Sequence, residues 1–344
     1  MPTALAYLST VWKDVGLGAS LLLALALLYA ARRTNSRAAL LASILPMCYG
    51  YGVSHNGALA VLPLTLWGGF ITLRVFAPQQ RKQVGGVGAA RPLVVGLAYF
   101  LLLTAAVLAT TRILTGGGNS YIYQSVMLYD LAAISKARGE PLFPDYIKRG
   151  ENFSLESATA YHTPKSWVPL TKGVGTSLRK ISDPDEVAEL RAKWLEVVPA
   201  NKSIYLRHNW ESFKWVMGWG KDEVCNPYLA TSRSEVNTWP VHRLLRAVFW
   251  KIRNTFFFRG FVWMFASLAL LCLALIGRLR GDLEAVCVLS LSDFLYGSGY
   301  FFYTVDSDFR FFWWTALSSL VGLCFAAPSA VGLWRSRGEP AAGA

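Results

Sequence analysis

Acidic residues and histidine are sparse in this chain: 21 Asp and Glu and 4 His stand against 34 Lys and Arg in 344 residues. Cysteine is equally thin. Of the 5 cysteines, Cys48, Cys272, Cys287 and Cys324 lie inside apolar runs, where a thiol behaves as a small hydrophobe. Only Cys225 stands in a polar stretch, so an internal disulfide there is excluded, and with it a small disulfide scaffold. No CxxC pair and no Cys/His cluster has metal-ligand spacing, so neither a metal site nor a cofactor is expected. A GxSxG elbow, a Walker A loop, HExxH and GxGxxG are also missing, which removes the motifs of the commonest hydrolase, phosphate-loop, zinc-protease and dinucleotide chemistries.

Apolar surface, by contrast, is abundant. The chain is 53% hydrophobic and 16% charged, with a mean hydropathy of +0.34, too apolar for a soluble protein of this length. The net charge of +13 would suit a nucleic-acid binder, but 13 Trp, 15 Tyr and 19 Phe suit contact with lipid. Basic charge then marks cytoplasmic loops and headgroups, and membrane lipids rather than nucleic acid are the expected partners.

A spanning helix needs about 20 largely apolar residues. Seven stretches qualify: Val15 to Ala31, Ala38 to Val53, Ala58 to Phe76, Pro92 to Thr111, Thr255 to Ile276, Leu283 to Val305 and Phe311 to Trp334. The first is not a signal peptide, because Arg32 and Arg33 follow its apolar core instead of preceding it. Pro46 and Pro63 make the second and third imperfect helices. The expected fold is an all-α polytopic membrane protein of about seven transmembrane helices with one mostly helical extracytoplasmic domain. Residues 1–111 hold the first four spans, 112–254 the domain, 255–334 the last three spans and 335–344 a cytoplasmic tail.

Lys and Arg concentrate on the cytoplasmic side of short connections. Arg32, Arg33 and Arg37 occupy the first connection, Arg74, Arg81, Lys82 and Arg91 the third, Arg278 and Arg280 the fifth, and Arg335 and Arg337 the tail. SHNG has no Lys or Arg, and DSDFR has two acids with one Arg. Alternation therefore puts the N-terminus, SHNG, the 112–254 domain and DSDFR together on the outer face of the membrane.

Within the domain, Tyr121 to Ala137 is predicted helical, with Ser120 as its N-cap and Ile122, Val126, Met127, Leu131 and Ile134 as a core-facing stripe. GEPLFPDYIKRGENFS reads as a loop. Asp183, Pro184 and Glu186 start a helix that Pro199 ends, and Asn201 to Met217 is a second, aromatic helix. Val241 to Asn254 reads as a basic helix lying in the membrane interface.

Three polar clusters at the outer edge need a partner or a job. Ser54, His55 and Asn56 form the outer hairpin, where Asn56-Gly57 also suits a tight turn. Asp306, Asp308 and Arg310 precede four aromatic residues; this is either an aromatic belt with a local ion pair or a site where Arg310 holds a lipid phosphate and an aspartate orients a hydroxyl. Arg207 and His208 lie between Tyr205 and Trp210, and serve either as helix covering or as ligand contacts.

The segments YQSVMLYDLAAIS, LFPDYI, LRAKWLEVVPANKSIYLRHNW and VDSDFRFFWW, with SHNGALAVLPL before them, resemble the C-terminal two-thirds of bacterial polytopic proteins of the GT-C glycosyltransferase type. The resemblance implies transfer of a sugar from a polyprenyl-phosphate donor to a cell-envelope glycan or lipid acceptor on the outer side of a bacterial cytoplasmic (inner) membrane. It makes Asp308 and Asp306 the catalytic candidates, and His55, Asn56, Arg207, His208 and Arg310 the substrate-binding ones. Ser54 stands where such proteins more often have Arg. The chain also starts outside, so the family's first span and its acid-bearing first outer loop are expected to be missing, with Asp14 the nearest acid; a truncated or inactive relative follows from that. A transporter or channel is the rival class, with Asp293 inside a span as its clue, and a non-catalytic membrane scaffold with an outer binding domain is the third.

Overall fold

The computed structural model describes residues 13–54, 56–77, 90–116, 121–150, 153–173, 176–219, 240–276 and 282–338. Among those residues the fold is helices joined by loops, and the only β pairing is two isolated bridges. Among them, too, five stretches are long and apolar enough to cross a membrane: Lys13–Thr34, Gly57–Phe76, Ala90–Leu114, Leu283–Tyr303 and Arg310–Ala327. The chain divides into two compact units, one of residues 1–114, 226–299 and 310–344, the other of 115–225 and 300–309.

The first unit contains α1 (Lys13–Thr34), α2 (Arg37–Ala42), α3 (Ile44–Val53), α4 (Gly57–Phe76), α5 (Ala90–Leu114), α12 (Pro240–Ile252), α13 (Gly260–Leu275), most of α14 (Leu283–Tyr303), and α15 (Trp313–Gly338). The expected second span is interrupted at Ser43, between α2 and α3. Pro46 explains the interruption, since its ring opposes the carbonyl of Ala42 and offers that carbonyl no N–H. Ser43 is buried and its hydroxyl donates back to Leu40 O at 2.6 Å. Pro63, in contrast, is accommodated inside an unbroken α4. The expected fifth span starts later than its hydropathy suggests, because Phe256–Phe258 form a 3₁₀ turn and α13 begins only at Gly260.

Leucines 93, 97, 101, 102, 108 and 114 of α5 are exposed, a face that water would penalise and lipid would not. Its opposite face meets α4 through glycine. A Cβ on Gly69 would lie 2.2 Å from Pro92 O, and one on Gly96 would lie 2.5 Å from Leu66 Cα. Small residues let two backbones approach this closely, which is how helices gain dispersion contacts where lipid offers no hydrophobic drive. Gly96→Val should therefore separate α4 from α5, costing about 3 kcal/mol, the upper part of the overpacking range. A marked fall in thermal midpoint and in monodisperse yield in mild detergent is expected; an unchanged midpoint would contradict the close packing.

The basic ends are tied together by charge. Arg32 pairs with Asp282 at 3.2 Å and with Glu284 at 2.8 Å, and Trp67 Nε1 donates to Glu284 Oε2 at 3.0 Å. Tyr29 donates to Asp282, and that bond, with Arg33 and Arg32 beside it, holds the Asp282 carboxyl below the usual carboxylate range. The clamp joins α1, α4 and α14, three helices distant in sequence.

The second unit is built around α6 (Gln124–Arg138), with α7 (Asp145–Lys148), α8 (Leu155–Thr159), α9 (Val168–Lys172), α10 (Pro184–Ala200) and α11 (Lys202–Val216). The sequence stripe understated α6. Residues 127–135 are buried all round, the signature of a central helix rather than a one-faced one. Leu128, Leu131 and Ile134 pack with Phe143, Leu170, Leu178 and Leu190. Gln124 clamps the incoming loop by donating to Ile181 O at 2.9 Å and accepting from Ile181 N at 2.7 Å. Gly139 closes α6 at φ 71°, a left-handed cap that glycine takes without steric cost. Ser120, the expected N-cap, lies outside the described residues. Asp183 caps α10 as its sequence predicts, accepting from Asp185 N at 2.8 Å and Glu186 N at 3.3 Å, with Pro184 in the first turn. The expected loop after Glu140 contains the single turn α7.

Candidate functional site

The second unit gathers its titratable groups where α6, α10 and α11 meet. Asp130 on α6 is buried and accepts from Trp194 Nε1 of α10 at 2.8 Å. His208 Nε2 of α11 lies 3.6 Å from Asp130 Oδ1. Tyr129 donates to Thr163 O at 2.6 Å and shares a 3.2 Å hydrogen bond with Ser212 Oγ. The rings of Tyr129, His162 and His208 pack in a triangle with centroids 4.6 to 5.2 Å apart.

Burial decides the charge state here, because a low-dielectric interior disfavours the ionised form of each group. It pushes the Asp130 carboxyl up to about 8, although the Trp194 hydrogen bond works against the rise. Burial pushes His208 down to about 3, helped by His162, and His162 down to about 4, helped by Lys136. At neutral pH the acid and both imidazoles are therefore uncharged, and the 3.6 Å contact is a neutral acid beside a neutral base rather than an ion pair. Burial likewise raises the Tyr129 hydroxyl above its ordinary value, against the lowering effect of its Ser212 hydrogen bond, and Asp130 and Asp306 add smaller upward contributions.

That last effect connects the cluster to Asp306. The 304–306 stretch is fastened to the same unit: Trp167 N donates to Val305 O at 2.8 Å, and Ser166 pairs with Asp306 in an antiparallel bridge. Thr304 Oγ1 donates to Asp306 O at 3.0 Å, and Asp306 Oδ1 accepts from the adjacent Ser307 N at 3.0 Å, so Asp306 is held on both sides just before Asp308. Asp306 and Asp308 are both half-buried. A carboxylate on such a backbone is positioned before any substrate arrives, which is what a general base needs.

Of the other residues expected at the site, Arg207 is exposed although its neighbour His208 is buried; one residue on a helix turns the side chain by about 100°. Arg310 belongs to the first unit and stacks its guanidinium 5.1 Å from the Phe311 ring centre. Asn56, also in the first unit, is buried; its Nδ2 donates to Tyr296 O at 3.4 Å while its Oδ1 is buried with no partner. His55 lies outside the described residues. Tyr129, Asp130, His162 and Ser212 were not singled out by the sequence. The usable signal was Asp130, a lone acid inside VMLYDLAAI; His162, in a loop, had none.

A second feature of this unit is a pocket of about 330 Å³ lined by Trp210, Glu211, Lys214, Trp215 and Trp219. Lys165 stacks on Trp215 at 4.3 Å, and Lys214 pairs with Glu211 at 2.9 Å.

In the first unit, Asp293 is fully buried, with Ser267 donating to Oδ1 and Ser319 to Oδ2 at 3.2 Å. Both oxygens are thus occupied by hydroxyls from α13 and α15, the arrangement of a helix cross-link. Among the described residues no group of three or more His, Cys, Asp or Glu could hold a metal ion. No family model, no curated protein and no solved structure matches this chain.

Proposed function

We propose that this protein is a membrane glycosyltransferase of the GT-C type, transferring a sugar from a polyprenyl-phosphate donor to a cell-envelope glycan or lipid. In this reading α2 with α3, and α13, cross the bilayer beside the five longer spans, giving seven. The alternation of basic and base-poor connections then turns the second unit outward, to the side where a polyprenyl-phosphate donor would present its sugar. Asp308 is the residue to take the proton from the acceptor hydroxyl, with Asp306, bonded to Ser307 N, beside it in the chain. Arg310 is the candidate for the donor phosphate, and His55, Asn56, Arg207 and His208 are the further substrate-binding candidates of this reading. The observation that supports the reading is the fastening of Val305 and Asp306, just before Asp308, by Trp167 and Ser166.

The test is direct: purified protein in proteoliposomes, given a radiolabelled polyprenyl-phosphate sugar and a membrane-glycan extract, should move label into the extract. A label that stays on the donor under all acceptors would reject transfer. A second reading, a glycan-binding scaffold, is favoured by the tryptophan pocket, whose exposed indoles suit the apolar faces of sugar rings; it predicts glycan binding without transfer.

A further inference from the structure

The first unit also holds an open groove of about 700 Å³ at its basic end, formed by α4, α5, α13 and α14. Its length is apolar, through Pro63, Phe70, Leu271 and Leu291, and its mouth is polar, through Arg32, Arg74 and Glu284. Two of these three charges are satisfied internally, because Arg32 and Glu284 pair with one another and Trp67 donates to Glu284. Arg74 is different. It is half-buried, its Nε is buried without a hydrogen-bond partner, and no carboxylate among the described residues pairs with it.

A half-buried guanidinium with a dry, unpartnered Nε at the end of an apolar trough suits an anion with an apolar tail, because a phosphate can satisfy it there while the tail covers the trough. We infer that this groove is a binding site for an anionic glycerophospholipid of the basic-side leaflet, with one acyl chain along Phe70, Leu271 and Leu291 and the phosphate on Arg74. Charge complementarity selects the occupant: a zwitterionic lipid brings its own cation to a mouth already in positive excess. The inference is independent of sugar transfer, because the groove belongs to the unit that lacks Asp306 and Asp308.

Native mass spectrometry of the full chain in micelles supplemented equally with dioleoyl phosphatidylglycerol and dioleoyl phosphatidylcholine tests it. Retention of one phosphatidylglycerol, preferred about tenfold, is expected for the parent. Arg74→Gln should abolish the preference and Arg74→Lys should keep part of it. Equal retention of both lipids by the parent, or full preference in Arg74→Gln, overturns the site. Should Arg74→Gln not fold, brominated-chain phosphatidylglycerol supplies a second reading without it. Trp67 lines the groove, so the parent should lose more fluorescence on adding this lipid than Trp67→Phe does; an equal loss also overturns the site.

Discussion

Asp308→Asn should lower sugar transfer by on the order of 100- to 10,000-fold, the usual loss when a general base is removed. The substitution is nearly isosteric, so it removes basicity and leaves the Asp306 hydrogen bond to Ser307 in place. Asp306→Asn should cost less, because an amide oxygen can still accept from Ser307 N as the carboxylate does now. Acids on α10 such as Glu186 and Glu189 make natural controls. Glu186 lies in the first turn, where the helix dipole favours a carboxylate, and Glu189 accepts from Asp145 N. Their Gln variants should transfer at close to the parental rate. Initial rates from labelled donor, measured after confirming equal membrane insertion, decide the matter; undiminished transfer by both aspartate variants would remove them from the mechanism.

The second large effect is on stability against pH, and its sign follows from the buried cluster. In the unfolded chain Asp titrates near 3.9 and His near 6.5. Folding raises Asp130 to about 8, so the native state holds an extra proton from about pH 4 to 8 and stability from this group declines across that window. Folding lowers His162 to about 4 and His208 to about 3, so their contribution is complete above pH 6.5 and is lost as pH falls below it. Two histidines outweigh one acid on the acid side, and the acid acts alone on the alkaline side. Stability of the second unit should thus peak near pH 6.5 and fall by about 2 kcal/mol towards pH 8, at about 1.4 kcal/mol per pH unit. Asp130→Asn keeps an oxygen for Trp194 and has no proton to lose, so its alkaline decline should disappear. Hydrogen exchange of the α6 amides between pH 6 and 8.5, corrected for intrinsic rates, reads this directly. An alkaline decline of equal slope in Asp130→Asn would contradict this assignment to Asp130.

The parts of the fold set by local chemistry were legible in the sequence. Asp183, Pro184 and Glu186 announced α10 because a cap is satisfied within one turn, and the apolar runs announced α1, α4, α5 and α14 because length and hydropathy act residue by residue. The break at Ser43 was half legible: Pro46 signalled an imperfect helix, but Pro63 signalled the same and α4 runs through it. What differs is the packing around each proline, which no local pattern encodes. The same limit governed the site. His208 and Arg207 look equivalent in LRHNW, and only the tertiary direction of α11 buries one and exposes the other. Asp130 looked like a polar interruption of a stripe, until burial of α6 on every side made it a buried acid. The fastening of Asp306 to Ser166 joins residues 140 apart, a distance over which sequence spacing carries no information.

Outward exposure of the second unit is what would bring Asp306 and Asp308 to the side of a polyprenyl-linked donor, and reporter fusions measure it most directly. Alkaline phosphatase fused at Gly150 should be active, because that enzyme matures only outside the cytoplasm, and the same fusion at Gly281 should be inactive. An inactive Gly150 fusion with an active Gly281 fusion would invert the topology and contradict the account.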